Sequence, residues 1–371
     1  MGDPLTRSPE RLARDRASRA VWYAPCVLRN RLTVCSALAF VTIVLVALCS
    51  GCRREAGSQR TQGEGEGGAQ AIKIAVIPKG TTHEFWKSIH AGAVKASREL
   101  AVEIVWKGPL KEDDLKSQID LVQSFAAQGV TGIVLAPLNE TALGPSVKSA
   151  VRAGIPVVII DSDLKSQDHV SFVATDNRAA GRLAGEHMIK LLGNKGNVVV
   201  LRYQEGSAST HHREEGFLEA LRKEANIILK SDNRYGGATT ESAFSASENV
   251  LLAQGAEKGE VNGVFTPNES TTFGMLLALD NAKHAGKVKF IGFDASEKLV
   301  AALSDGKIHG LVLQDPFTMG YLGVKTLVSH LRGQKVEKRI DTGSKLITRD
   351  NMNEPVMQRL LKPDLKQWLG K

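Results

Sequence analysis

From Lys73 onward, short apolar runs alternate with amphipathic stretches. Six of the runs stop at a polar residue. "KIAVIPKG" spans 73–80, "IPVVIID" ends at Asp161, and "NVVVLRYQEGSASTHHR" runs on to Arg213. "GVFTPN" ends at Asn268, "FIGFD" at Asp294, and "HGLVLQD" passes through Gln314. Runs rich in Val, Ile and Leu, bounded by Gly or Pro and separated by helical patterns, predict buried parallel strands. Strands are expected at 73–77, 103–106, 132–137 and 155–160, then at 197–202, 226–230, 262–266 and 288–293. Helices are expected near 84–100, 113–127, 145–153, 177–192, 211–223, 241–254 and 270–285. In the second of these, Leu115, Ile119, Val122 and Ala126 share one helical face, and Gly129 is placed to end it. The β-α-β-α-β-α-β pattern restarts after Asp176. It predicts an α/β protein of two doubly wound parallel-sheet lobes. No repeat of 20–50 residues is present, which argues against a solenoid.

In open α/β sheets, ligands bind outside the carboxyl ends of the strands. The polar stops are therefore candidate ligand groups. Amides, two carboxylates and one guanidinium suit a polyhydroxylated small molecule better than a phosphate or a nucleic acid. The length of 371 residues and 42% hydrophobic content support two domains of ordinary size. Net charge is +8, but residues 1–52 hold seven Arg against three acids, half of the excess. The remainder, spread over a large surface, points away from nucleic acid.

Cys26, Cys35, Cys49 and Cys52 are the only cysteines, so the sequence beyond them has neither a disulfide nor a cysteine metal site. Leu32–Ser50 is an uncharged, mostly apolar run preceded by Arg29 and Arg31, and it ends in "LCSGC". A basic flank, an apolar stretch and small residues make a secretory signal. Ser50-Gly51-Cys52 resembles a bacterial lipobox, which implies cleavage before Cys52 and lipidation of its sulfur. Cys49 departs from that pattern, which has an aliphatic residue there. The run also approaches the ~20 residues of an uncleaved transmembrane anchor. Both readings put the folded part outside the cytoplasm. Residues 53–71, rich in Gly, Gln and Glu, form a flexible tether. Gly63, Gly65 and Gly68 spell G-x-G-x-x-G, but they precede the first strand rather than follow one, so they are linker composition.

The sequence lacks G-x-S-x-G, H-E-x-x-H and G-x-x-x-x-G-K-[ST]. Adjacent His211 and His212 cannot share a metal as an i, i+4 pair would, and they read as solvated. No enzyme, metal or cofactor is expected. Phe85 and Trp86, neighbours at a helix start, point about 100° apart and cannot face one core equally well, so at least one is expected at the ligand.

Seven ordered segments carry a family resemblance: "IPKGTTHEFWKSIHAGA", "AGIPVVIID", "VATDNRAAGRLAGEHM", "REEGF", "VFTPNE", "FIGFDAS" and "GLVLQDP". Together they resemble the periplasmic sugar-binding proteins of the ribose- and galactose-binding type, over about residues 72–345. The resemblance implies two lobes joined by a multi-strand hinge, with the ligand in the cleft. It implies a first lobe of 72–175 plus 315–343 and a second of 176–314 plus 344–371, after a signal segment 1–52. Residue by residue, it implies that His83, Phe85 and Trp86 come from the first loop, the aromatics stacking on sugar C–H faces. Asp161, Asn268, Asp294 and Gln314 match the family's carboxylates and amides, and Arg213 its guanidinium. Ser162 stands where ribose-binding members have Arg, and Lys79 where they have a small polar residue, which puts ribose itself in doubt. Tyr235 is a further candidate aromatic.

The resemblance thus implies a lipid-anchored, monomeric solute-binding protein of the periplasm or cell envelope. It would capture a sugar or polyol of pentose type for an inner-membrane ABC permease. Two alternatives stay open. One is an anchored receptor that senses the sugar. The other is a regulator core of the lactose-repressor family, although no helix-turn-helix opens this chain.

Overall fold

The computed structural model describes residues 71–370. The apolar run, the tether, Cys52 and the other cysteines lie outside those residues. The first half of the chain runs β1 (Lys73–Ile77), α1 (Glu84–Leu100), β2 (Glu103–Trp106), α2 (Leu115–Ala127), β3 (Gly132–Leu135), α3 (Gly144–Arg152), β4 (Val157–Ile160) and β5 (Ser171–Ala174). The second runs α4 (Asn177–Leu192), β6 (Gly196–Arg202), α5 (Ala208–Leu221), β7 (Ile227–Tyr235), α6 (Thr240–Ala253), β8 (Gly263–Phe265), α7 (Glu269–Asn281), β9 (Lys289–Phe293), α8 (Glu297–Ser304) and β10 (Gly310–Gln314). Five elements complete the chain: α9 (Pro316–Leu331), β11 (Arg339–Asp341), β12 (Ser344–Ile347), α10 (Pro355–Leu361) and α11 (Lys366–Leu369).

Among the described residues these strands make two six-stranded sheets, ordered β11-β5-β4-β3-β1-β2 and β12-β10-β9-β8-β6-β7. The orders correspond strand for strand, and only the edge differs. β11 runs parallel to β5, whereas β12 runs antiparallel to β10. Both sheets are sandwiched by helices, which is why β3 and β4 are apolar and buried along their whole length. In the first lobe α1 and α9 cover one face with Ile89, Met319, Val324 and Leu327, and α2 and α3 cover the other with Val122, Phe125 and Val147. In the second, α4 and α5 cover one face and α6, α7 and α8 the other.

The chain passes between lobes after β5, after β10 and between β11 and β12. Asp176 and Asp315 mark the first two passages by capping α4 and α9, each accepting from the backbone N–H three residues on. The third is tied to the first: Thr175 Oγ1 donates to Gly343 O at 3.2 Å, and Thr342 N to Ala174 O at 3.2 Å.

Several elements differ from the expected pattern. β5, β11, β12, α8, α9, α10 and α11 were not foreseen. β5 is four residues long with a serine at its start, too short to alternate visibly. α9 carries Gly320 and Gly323, which lower helix propensity, but Gly320 sits where α9 meets the backbone of α1. β7 extends to Tyr235 through two register shifts against β6, longer than the 226–230 expected.

Candidate ligand-binding cleft

The parallel strands of both sheets point their carboxyl ends into the gap between the lobes. β4 delivers Asp161 there and β9 delivers Asp294, at corresponding places in the two sheets. Their backbones are alike: φ is 63° at Asp161 and 65° at Asp294. Asp161 N donates to Val173 O at 3.1 Å, and Asp294 N to Val312 O at 3.0 Å, each on the next strand. The left-handed region costs a non-glycine residue of order 1–3 kcal/mol, and Asp tolerates it better than most. The strain turns each carboxylate off its strand and toward the gap.

Arg213, buried on the first half of α5, stands between them. Its guanidinium is 4.0 Å from Asp161 and 3.9 Å from Asp294. Nε donates to Asn177 Oδ1 at 2.8 Å, Nη1 donates to Pro267 O at 2.9 Å, and the Phe293 ring lies 4.7 Å away. Gln314, the last residue of β10, donates from Nε2 to Asp294 Oδ1 at 2.8 Å. Burial pushes the Asp294 carboxyl up from its ordinary pKa, and the Arg213 charge and the Gln314 donor pull against it. Two buried atoms in this group have no hydrogen-bond partner: Arg213 Nη2, a donor, and Gln314 Oε1, an acceptor.

The first lobe adds the loop after β1. Lys79 Nζ lies 3.0 Å from Asp161 and donates to Ser209 Oγ at 3.1 Å and Ser207 Oγ at 3.3 Å. Its ammonium serves Asp161, beside which Ser162 carries no charge; Ser162 Oγ instead accepts from Ser209 N at 3.1 Å. Around the corner, Glu112 collects three donors: His83 Nδ1 at 2.8 Å, Trp86 Nε1 at 2.5 Å and Tyr203 OH at 2.5 Å. Burial works against charge on both members of the His83–Glu112 pair, but their hydrogen bond and mutual attraction outweigh it. His83 rises to about 9 and Glu112 falls to about 2, so the pair is ionised. Burial and the Glu112 charge hold Tyr203 well above its ordinary value, so it stays a donor.

The lobes touch across the gap. Glu269, at the start of α7, accepts from the backbone N–H of Glu84 at 3.4 Å and of Phe85 at 3.3 Å, the first turn of α1. A carboxylate there also meets the positive end of that helix. Burial lifts Glu269 to about 7; the His83 charge lowers it and the Asp294 charge raises it. Glu140 N donates to Gly206 O at 2.8 Å, and Gln204 Nε2 to Glu112 O at 3.1 Å.

What remains between the closed lobes is a small cavity, with about 20 Å³ open to the centre of a water-sized molecule. His83, Phe85, Trp86, Asp161, Arg213, Asn268, Asp294 and Gln314, the eight residues singled out from sequence, all line it. Asn268 has a second duty, because its side chain caps α7 by accepting from Thr271 N at 3.3 Å. Phe85 and Trp86 differ from expectation in one respect. Both belong to the apolar core as well as to the cavity wall, their rings edge to face at 4.9 Å. The first turn of α1 lies at the rim of the sheet, where one surface serves both. Tyr235 is 43% exposed and does not line the cavity; Tyr203 is the aromatic that the second lobe contributes.

Glu112, Tyr203, Ser209, Thr210 and Glu269 also line the cavity and were missed. Four of them lie in or beside segments already singled out. Glu112 lies in "KEDD", which reads as a solvated charge run. The usable signal was topological: β2 runs parallel to β1, so the loop after β2 opens on the same rim.

Residues 74–335 match the family model described as periplasmic binding protein domain. A ribose import binding protein from Haemophilus influenzae is 29% identical over 275 residues, which are 74% of this chain and 91% of that relative. A carbohydrate transporter solute-binding protein from Agrobacterium radiobacter, solved in complex with D-arabinose, is 32% identical with a TM-score of 0.75. It covers 79% of this chain and 100% of that one. An ABC transporter solute-binding protein from Agrobacterium vitis with bound D-fucose is 36% identical with a TM-score of 0.74, over 78% of this chain and 100% of that one.

Proposed function

The chain belongs to the periplasmic binding protein domain family, and from that membership we propose a sugar-binding protein that closes its two lobes on one neutral monosaccharide, of pentose type, and delivers it to an ABC importer. The observation that carries this reading is the pair of unpartnered buried atoms, Arg213 Nη2 and Gln314 Oε1. One is a donor and the other an acceptor. A hydroxyl group can do either, accepting from the first or donating to the second, whereas a carboxylate only accepts and an ammonium only donates. Leaving such atoms unpaired costs roughly 1–3 kcal/mol each, so a ligand that pairs them gains that much.

In this reading Asp161 and Asp294 accept from further hydroxyls, Asn268 supplies an amide, His83 donates, and Phe85 and Trp86 pack on the C–H face of the ring. The site binds and does not catalyse: both carboxylates are engaged by cations and amide donors, an arrangement that orients hydroxyls. Cys52 would carry a lipid that keeps the binder at the membrane, with the Gly-rich segment as its leash.

Calorimetric titration with D-ribose, D-arabinose and D-fucose tests the reading. Saturable binding of at least one of them in the micromolar range or tighter is expected. Absence of heat with all three at millimolar concentration, together with saturable binding of a sugar acid or an amino sugar, would overturn the neutral-ligand assignment.

A further inference from the structure

The family match stops at residue 335. Beyond it, β12 returns the chain to the second lobe, and α10 packs there. Met352 and Leu361 are buried in the second lobe's core, and Met357 and Leu360 pack against it. Then the chain leaves. α11 lies on the first lobe, where the Trp368 ring is 6.3 Å from that of Phe317 on α9. The Arg98 guanidinium of α1 sits 5.5 Å over the same indole, and Arg98 Nη2 donates to Trp368 O at 3.1 Å. Residues 362–365 therefore cross between the lobes a fourth time.

This crossing is unlike the other three. Those lie side by side, and the first and third are hydrogen-bonded to one another in the hinge. The fourth stands clear of them, with a hollow on each side. One hollow is bordered by Glu84, Phe85 and Glu297 together with Leu361 and Pro363. The other is bordered by Phe317 and Thr342 together with Arg359 and Asp364. The span thus runs past the first turns of α1 and α8, which face each other from opposite lobes. Opening the cleft separates those turns and pulls on the span.

We propose that residues 362–370 are a strap that limits opening of the cleft, anchored by Leu361 in the second lobe and by Trp368 on the first. Its reach is short: each residue adds at most ~3.3–3.6 Å, and Pro363 stiffens the middle. Opening beyond that reach strips Trp368 from Phe317 and Arg98. The strap meets residues assigned to the ligand only through the walls of the hollows, Phe85, Asp294 and Gln314 in the first and Gln314 in the second. It acts by raising the fraction of molecules that are closed, and apparent affinity scales with that fraction. The effect on affinity rests on the sugar-binding reading, whereas the strap itself is measurable without ligand.

Hydrogen exchange of the full chain, without sugar, is that measurement. The backbone N–H groups of Glu84, Phe85, Glu140 and Ser209 donate across the cleft, so their exchange reports opening. Two variants are compared with the parent, Trp368→Ala and a chain ended after Leu361. Exchange at the four amides should accelerate by about threefold in the first and about tenfold or more in the second. Amides in β1 and β9 should keep the parent rate. Unchanged exchange at the four amides in both variants overturns the proposal. So does acceleration spread over the whole second lobe, since that marks a segment which merely completes the core. If no neutral sugar binds yet the four amides accelerate, the ligand assignment falls and the strap stands; sugar binding with unchanged amides removes the strap alone.

Discussion

Asp161 and Asp294 are the two residues of the cavity that hold a strained backbone, and each also holds a charge next to Arg213. Both properties bear on how they should be tested. Alanine would add the cost of a left-handed backbone to the loss of the carboxylate, whereas asparagine tolerates that backbone and keeps the shape. Asp161→Asn and Asp294→Asn should each weaken sugar binding by roughly 1.5–3 kcal/mol, about 10- to 150-fold, because each replaces a charged acceptor. Calorimetric titration reads the affinity. Melting of the sugar-free Asp294→Asn variant should move little, whereas Asp161→Asn should also melt lower because it leaves the buried Lys79 ammonium without its charge partner. A core ion pair would behave in the opposite way, with a large loss of stability and affinity nearly kept. These residues were legible in the sequence because each ends an apolar run, where the strand's direction says which side faces the gap. Glu112 was not, because it sits in a charged loop and its burial arises from Tyr203 and Trp86 closing over it from two different segments. Glu269 was hidden for a similar reason: its partners, the backbone N–H groups of Glu84 and Phe85, belong to the other lobe.

Both lobes contain helix pairs in which glycines allow the backbones to meet. On α4 and α5, a methyl at Gly181 would land on the carbonyl oxygen of Arg213, and one at Gly216 on that of Arg178. On α1 and α9, Gly92 and Gly320 stand in the same relation to Phe317 and Ile89. The α4–α5 contact lies directly behind Arg213, so packing there sets the position of the guanidinium. Gly181→Ala should destabilise the protein by about 1–3 kcal/mol and also lower sugar affinity. Gly144→Ala, in α3 with open space around it, should be neutral or slightly stabilising. Urea unfolding of the two variants makes the comparison; equal stability would mean that the helices can slide apart without cost. The same glycines explain what the pattern hid. Longer strands and helices with an unbroken apolar period were foreseen within a few residues. α8, only eight residues long, was not, and α9 escaped because its glycines weaken the helical signal for a packing reason visible only beside α1.

Closing the whole molecule changes how it holds protons. In the closed form Glu269 has a pKa of about 7 against an ordinary 4.5, and His83 about 9 against 6.5. Both folded values are raised, so the native state binds more protons than the unfolded chain, and stability falls as pH rises. For Glu269 the loss spans about 4.5 to 7, and for His83 about 6.5 to 9. Glu112, depressed to about 2, has the opposite sign, and its contribution is lost only below about 4.5. Glu214, which burial also raises to about 7, adds to the fall below pH 7, while His309, lowered to about 4, and His90, His169, His187 and His212, all lowered by burial, oppose it. The melting temperature of the sugar-free protein should therefore decline from pH 7 to pH 9, where His83 carries the change. Glu269→Gln should shift the change between pH 5 and 7 in the upward direction relative to the parent and leave the fall above pH 7. Scanning calorimetry at pH 5, 7 and 9 checks this, and a curve that rises from pH 7 to pH 9 would contradict it. None of this was legible in the sequence: His83 is raised, against burial, by Glu112 from a charged loop, and Glu269 by burial against the first turn of α1 in the other lobe.

The position of α9 also has a consequence for the order in which the molecule can be made. Met319, Val324, Leu327 and Val328 supply one wall of the first lobe's core, yet they leave the ribosome after nearly all of the second lobe. At ~5–20 residues per second, Leu331 emerges roughly 10–30 s after Ala174. Throughout that interval this face of the first sheet is covered by α1 alone, and its core stays incomplete. The older part of the chain must wait for the younger, and during the wait it stays loose enough to be held by a chaperone or threaded through a narrow pore.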